Sequence, residues 1–397
     1  MPHKFFNANY GEPLRAKLAE GKHLSEIVHF GDQQVFTGAT TYTCLLFINK
    51  YETEVFNFFK VMDLEKWQFE HNADHATLLA ADMGGSAWNF SAGENRILLE
   101  KLKQFPMKLG EIAHIFVGTQ TSADDVFVLD KCRIENGIVM GFSKSLNSEV
   151  KVEATCTKPF LRGKQIRRYE QPQADARLIC PYEINESSSR LYADSEMKDH
   201  FPLAWEYLCS NKSALAAREK GRFCGSNWFA FGYPKSMTLF SGPKIIVPDY
   251  NNVPSFTFDI DGYFYKTGYG VIANHKLLSP LYILGLLNSP LLFKYLCSIG
   301  TSLRGGYIRF WTQFIEQLPI RNIDFSDPAD AALHDHMVSL VEQMLSLHKR
   351  YHEARTPHEQ TALQRQIEAT DGQIDDLVYK LYELTEEEKN IVERDNA

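Results

Sequence analysis

The chain has 397 residues, with 42 Lys and Arg against 50 Asp and Glu, a formal charge of −8 and a pI near 5.9. That length allows two or three domains with cores of their own, and 44% apolar with 23% charged residues excludes a disordered or fibrous chain. The acidic balance argues against a free polycation, yet a nucleic-acid site depends on where charge lies and not on its sum.

In chain order, residues 1 to about 60 read as α/β. GEPLRAKLAEGK (11–22) is a helical run with Leu14 and Leu18 four apart and Gly21 as its stop. LSEIVHF (24–30) reads as a short strand, and TYTCLLFINK (41–50) as a strong one, apolar and aromatic around β-branched threonine. A helix and two strands in that order look like the end of an α/β sheet whose beginning is missing. Residues 61–105 read as transitional: EKWQFEHNADH is polar, DMGGSAWNFS is turn-rich, and AGENRILLEKLKQFP is an amphipathic helix stopped before Pro106.

From about 107 to 260 the pattern is short strands and turns. IAHIFVGTQTSADDVFVLD gives two strands around a small polar loop, and RIENGIVMGF a hairpin turning at Asn136-Gly137. PKIIVPDYNNVPSFTFDIDGYFYKTGYGVI supplies three or four more strands, while residues 195–220 form a helical insertion. Helices return between 276 and 320. In the tail, Leu333, Met337, Leu340, Met344, Leu347 and Tyr351 keep heptad spacing, as do Leu363, Ile367, Thr370, Ile374, Leu377, Leu381 and Leu384. With the break at Thr356-Pro357, the spacing predicts an antiparallel helical hairpin with arms of roughly 20 residues, about 30 Å long. It reads equally as a bundle capping its own domain and as a spacer or assembly surface. The expected fold is therefore α+β, divided at 1–65, 66–106, 107–325 and 326–397.

The seven cysteines are scattered, with no Cys-x-x-C pair and no Cys/His group at zinc spacing, which points to reduced thiols, a cytoplasmic protein and no metal. The opening MPHKFFNANYGEPLR has no apolar signal core, and LLSPLYILGLLNSPLLFKYL is broken by Ser, Pro, Asn and Lys, as befits a buried helix pair and not a membrane span. No phosphate-binding glycine loop, H-E-x-x-H or G-x-S-x-G occurs.

What stands out is KPFLRGKQIRRYEQP. Lys158, Arg162, Lys164, Arg167 and Arg168 fall within eleven residues, with Gly163 between them and no acidic residue. Lys and Arg neutralise phosphates, Arg adds a fork for guanine, and Gly permits close backbone approach. A solvated charged turn is the competing reading. Arg218, Lys220 and Arg222 form a second basic cluster, and RGGYIR, with Arg304 and Arg309, a third. Three such clusters on a β-rich domain favour nucleic acid.

The order HIFVGTQTSADDVFVL, KPFLRGKQIRRY, PKIIVP, then LGLLNSPLLFKYL and GTSLRGGYIRFWTQFIEQLPI resembles the target-recognition domain of TaqI-like adenine-N6 DNA methyltransferases and of fused, type IIG restriction-modification enzymes. QIDDLVYKLYELTEEEKNIVE is similar to the closing helix of that group and of type I specificity subunits. FFNANYGEPLRAKL with QVFTGATTYTCLLFI resembles the last part of the methyltransferase domain. The resemblance implies double-stranded DNA as partner, bound by Lys158, Arg162, Gly163, Lys164, Arg167, Arg168, Arg304 and Arg309, with Thr119, Gln120, Thr121 and Ser122 near it. It places Phe36 where the family stacks an aromatic on a flipped adenine; an ordinary core Phe at a strand edge is the other reading. The family's S-adenosylmethionine loop and Asn-Pro-Pro-Tyr/Phe motif are absent here. The resemblance thus implies no cofactor and no catalytic residue in this chain, and a catalytic portion or subunit as a second partner in a phage-defence system.

Two other readings stay open. One is an assembly subunit of a defence complex working through the helical hairpin. The other is an autonomous enzyme using Asp124 and Asp125, or Asp249 near Tyr250, as acids and bases.

Overall fold

The computed structural model describes residues 1–39, 41–88, 90, 95–303 and 305–394. Helix α1 (Glu12–Glu20) carries a proline in its first turn and ends at Gly21; Leu18 is buried and Leu14 exposed. Strand β1 (Leu24–His29) pairs antiparallel with β2 (Cys44–Ile48) and parallel with β3 (Val55–Lys60). Helix α2 (Leu64–Glu70) is capped by Asp63, whose carboxylate accepts the Lys66 N–H at 3.0 Å, and leads to β4 (Asp74–Leu79), antiparallel to β3. The sheet runs β2-β1-β3-β4, so it continues into the stretch that reads as a polar connector. Polar residues hide these strands, because only alternate positions such as Phe56, Phe58 and Ala76 face the core.

One face of that sheet is fully covered, and the other only in part, where Val28 and Phe59 pack with Phe30, Val61, Leu64 and Trp67. Ile27, Phe56, Phe58 and Ala76 pack with Phe5, Phe6 and Trp88. On the opposite face Leu45, Phe47, Val55 and Leu79 are between 42% and 52% exposed.

In helix α3 (Asn95–Lys103), Leu98, Leu99 and Leu102 are buried, as its amphipathic spacing requires. The chain then turns β-rich, through β5 (Ala113–Val117), β6 (Val128–Glu135), β7 (Ile138–Ser143), β8 (Ser148–Glu153), β9 (Thr157–Leu161) and β10 (Ala176–Ile179). The β6–β7 turn places Asn136 and Gly137 at φ 49° and 77°, the left-handed pair a two-residue hairpin needs. A small hairpin (Tyr182–Ile184 with Ser189–Leu191) and helices α4 (Asp194–His200) and α5 (Pro202–Ser210) come next. Strands β11 (Lys244–Val247), β12 (Tyr250–Asn251), β13 (Thr257–Asp259), β14 (Phe264–Tyr265) and β15 (Tyr269–Ala273) complete the unit. They form a six-stranded sheet, β14-β9-β10-β6-β7-β8, and a four-stranded one, β13-β11-β15-β5.

Helices α6 (Pro280–Leu287) and α7 (Pro290–Ile299) meet at 68° and are almost wholly apolar. Among the described residues no single helix is long and apolar enough to cross a membrane. Strands β16 (Ser302–Leu303) and β17 (Tyr307–Arg309) form a hairpin that adds to β12. The tail is α8 (Pro328–Glu353) and α9 (Pro357–Leu381), then α10 (Glu386–Arg394). The arms have 26 and 25 residues, so each is about 38 Å long. Thr356 caps the second arm, its hydroxyl accepting the Glu359 N–H at 3.2 Å.

The hairpin does not stand free. Met337, Leu340, Met344 and Leu347 from α8, and Leu363, Ile367, Ile374 and Leu377 from α9, share one core with α6, α7, β11 and β15. Gly285 on α6 makes room for this: a Cβ there would lie 2.5 Å from the Met337 sulfur. Each buried leucine along the seam contributes roughly 1.5–3 kcal/mol, so hairpin and β-rich unit hold each other.

Candidate nucleic-acid interface

The basic turn leaves β9 at Leu161 and returns at β10. Leu161, Ile166 and Tyr169 are buried and pin it down, and Gly163–Gln165 make a single tight turn closed by the Arg162 N–H on the Gln165 side-chain oxygen at 2.8 Å. Tyr169 takes φ 58°, which throws its ring inward. The cations between these anchors have different fates. Lys158 lies half-buried on β9. Arg162 pairs with Asp130, which also holds Lys144 at 3.3 Å. Arg168 turns inward, donating to the Asn288 carbonyl at 3.0 Å and to Asp371 on α9 at 2.5 Å. Lys164 and Arg167 point to solvent; Arg167 keeps 63% of its side chain exposed, with Glu170 3.6 Å away.

Beside the turn lies an open cavity of about 710 Å³. Gly163, Lys164, Arg167 and Arg168 line one side, the segment Pro248 to Ser255 lines the other, and His348 of α8 closes it. Behind this lining the hairpin places His352 3.2 Å from Glu170 and Asp375 near Asp371. Burial, and then the Asp371 charge, push the Asp375 carboxyl up to about 7. One of its oxygens has no hydrogen-bond partner among the described residues.

The polar loop divides. Thr119 and Thr121 are buried, with the Thr119 hydroxyl on the Met237 sulfur at 3.4 Å and the Thr121 hydroxyl on Asp124 at 2.6 Å. Their hydroxyls serve the fold. Gln120 and Ser122 are exposed; Ser122 donates to Glu219 at 2.8 Å. The second basic cluster turns out to be a brace. Arg218 is only 8% exposed and donates to the carbonyls of Thr121, Leu215, Trp228 and Ala230 at 2.6–2.8 Å. Arg222 pairs with Glu219 at 2.9 Å, and Lys220 is exposed.

In the third cluster Arg304 lies outside the described residues. Arg309 pairs with Asp249 at 2.5 Å and sits 5.3 Å over the Trp311 ring. Gly305 and Gly306, at φ 83° and 75°, make the β16–β17 turn, and the Gly306 N–H reaches Asp32 at 3.4 Å. Asp32 belongs to the loop that carries Phe36, which is 59% exposed. The loop of Phe36 therefore touches the β-rich unit. Next to it a smaller cavity of about 430 Å³ is lined by His3 and His29, whose rings stack 4.4 Å apart; burial pulls His29 down to about 3.

Two of the three carboxylates considered as acids and bases are engaged, Asp124 with Lys266 at 2.5 Å and Thr121, and Asp249 with Arg309 and the Tyr269 hydroxyl at 3.2 Å, while Asp125 is exposed. Among the described residues no group of three or more His, Cys, Asp or Glu is placed to hold a metal ion. Charge is distributed unevenly. Residues 326–397 hold 16 acidic against 7 basic side chains, leaving residues 1–325 near neutral with 34 against 35. The acidic tail hides a basic turn from any whole-chain average. Two features had no sequence signal: the part of Asp371 in holding Arg168, and that of Lys266 in holding Asp124. Both are contacts between residues far apart in the chain.

Comparison with known proteins agrees with the fold. Residues 158–320 match the TaqI-like C-terminal specificity domain family. The chain is 26% identical to the type II restriction enzyme and methyltransferase RM.Eco57I of Escherichia coli, over 97% of this chain and 40% of that protein. It is 21% identical to the type II methyltransferase M.BanIII of Aneurinibacillus aneurinilyticus, over 80% of this chain and 59% of that one. Its fold is similar to that of the type IIL restriction-modification enzyme MmeI, solved in complex with DNA, at a TM-score of 0.53 and 11% identity, covering 96% of this chain and 46% of MmeI. The chain thus spans about two-fifths of the first of these relatives and under two-thirds of the second.

Proposed function

From a chain that carries a TaqI-like C-terminal specificity domain and is related over most of its length to type II methyltransferases, we propose a sequence-specific recognition module for double-stranded DNA in an adenine-N6 restriction-modification system. The observation that carries the proposal is the cavity bounded by Lys164 and Arg167, two cations left exposed by a turn whose other arginines are engaged inside the fold. Phosphate is the anion such a lip takes, and it releases counterions on binding. Gly163 lets backbone approach, while Gln120, Ser122, Lys158 and Arg309 stand as further contacts around the same unit. Arg162, Arg168, Thr119 and Thr121 support it from within. A cytoplasmic location and a part in phage defence belong to the same proposal.

The module is not catalytically complete by itself, since it holds neither the S-adenosylmethionine loop nor the adenine-gripping motif. We assign that chemistry to a methyltransferase portion or subunit seated against the N-terminal sheet. Two observations support this: the open apolar face of Leu45, Phe47, Val55 and Leu79, and the greater length of the relatives. Exposed Phe36 is then free to stack on a base extruded from the duplex.

Binding to a mixed-sequence duplex at rising salt tests the reading. Affinity is expected to fall steeply between 50 and 200 mM salt. Salt-independent binding would refute the cationic cleft, and methyl transfer by the isolated chain would refute its incompleteness.

A further inference from the structure

The two walls of the 710 Å³ cavity are chemically unlike. One presents the ammonium of Lys164 and the guanidinium of Arg167. The other presents Tyr250, 52% exposed, and Val253, 50% exposed, from the segment between buried Pro248 and buried Ser255. Neither carries a charge for phosphate, to which only the Tyr250 hydroxyl can donate, whereas the aromatic ring and the isopropyl group fit the faces, methyl groups and sugar edges of nucleotides.

The second wall is also held rigid, which an incidental surface loop does not require. Asp249 is fixed by Arg309 at 2.5 Å and by the Tyr269 hydroxyl at 3.2 Å. The Asn251 amide donates to the Ser255 hydroxyl at 2.6 Å and its oxygen accepts the Asn252 N–H at 2.9 Å, while Ser255 donates to the Val253 carbonyl at 3.0 Å. In the β12–β17 pair Tyr250 lies opposite Arg309, so Tyr250, Arg309 and Tyr307 share one face. Tyr307, 37% exposed, meets the Tyr250 ring edge-on with centroids 5.8 Å apart. A half-exposed aromatic braced by a second aromatic on a preorganised loop is a contact surface built in advance.

We propose that Tyr250, backed by Tyr307, and Val253 form the base-contacting wall of the cleft, so that the loop Asp249–Ser255 discriminates sequence while Lys164 and Arg167 hold phosphate. The proposal rests on the DNA-recognition reading above and divides its labour between two named walls. Phosphate contacts fix position without carrying sequence information, and base contacts specify.

The test is selection from a pool of 30-base-pair duplexes with a randomised centre, by the full chain and by three variants. The wild type is expected to enrich a motif. Tyr250→Ser/Val253→Ser is expected to relax the motif at one or more positions, losing roughly tenfold discrimination there, with an unchanged salt slope. Tyr307→Ala is expected to relax the same positions more weakly. Lys164→Ala/Arg167→Ala is expected to keep the motif and bind every sequence more weakly. Because Tyr250 and Val253 are half-exposed, matching melting curves establish that the variants are folded. A loop variant that enriches the same motif as strongly as wild type overturns the inference and leaves DNA recognition standing. A wild type that binds no duplex, or enriches nothing, overturns the recognition reading itself.

Discussion

The turn at 162–170 and the cluster at 218–222 look alike in sequence, each a short run of Lys and Arg around glycine, yet the fold uses them in opposite ways. In the first, buried Leu161, Ile166 and Tyr169 clamp the backbone and leave Lys164 and Arg167 at the mouth of a cavity. In the second, Arg218 goes inside and spends its donors on four carbonyls, stacked 4.2 Å from the Phe223 ring. A run of cations states how many donors are present. It does not state whether the acceptors are the protein's own carbonyls or a partner's phosphates.

Four substitutions sharpen that contrast. Arg218→Ala removes donors from four buried carbonyls and is expected to cost about 3–5 kcal/mol, read as a large drop in melting temperature. A loss below about 1 kcal/mol would show that the carbonyls find other donors and that the cluster is surface after all. Arg168 ranks next, because it ties the turn to Asn288 and Asp371 while keeping 25% of its side chain exposed. Arg168→Met should cost about 2 kcal/mol and loosen α9 in hydrogen exchange. Lys164→Ala and Arg167→Ala should each lie within about 0.5 kcal/mol of wild type, as exposed cations do.

Between these effects stands a pH dependence. The Asp375 carboxyl is held up at about 7 by burial and by Asp371, with Asp376 and Glu393 adding to the effect and Arg168 opposing it. The folded state therefore binds this proton more tightly than the unfolded chain, and stability from this site falls as pH rises from about 4 to about 7. Asp375→Asn should match wild type near pH 4 and exceed it at pH 8, by up to about 4 kcal/mol for a shift of about three pH units. Equal melting temperatures for the two proteins at pH 8 would contradict the raised carboxyl.

Much of the architecture is legible in the sequence. The hairpin is plain because heptad spacing is a long, repeated signal, and each residue of the stripe from Met337 to Leu347 is in the core. The Asn136-Gly137 turn is plain because few residue pairs take two left-handed conformations. Strands β3 and β4 are not, since Asn57, His75 and Thr77 on the outer face and Asp74 at a strand end dilute the alternation. The basic turn was found by its charge, but its sorting was hidden. Arg167 and Arg168 are adjacent and chemically identical, and only the distant carbonyl of Asn288 and carboxylate of Asp371 draw one of them inward. The loop Asp249–Ser255 gave no charge signal at all, because what marks it is rigidity and position across the cavity.

The most direct test of the account is the salt dependence of duplex binding by wild type and by Lys164→Ala/Arg167→Ala. Each phosphate contact adds about 0.9 to the slope of log affinity against log salt, so the double variant should lose between about 1 and 2 units of slope with its melting temperature unchanged. An unchanged slope would mean that the turn at 162–170 does not face DNA.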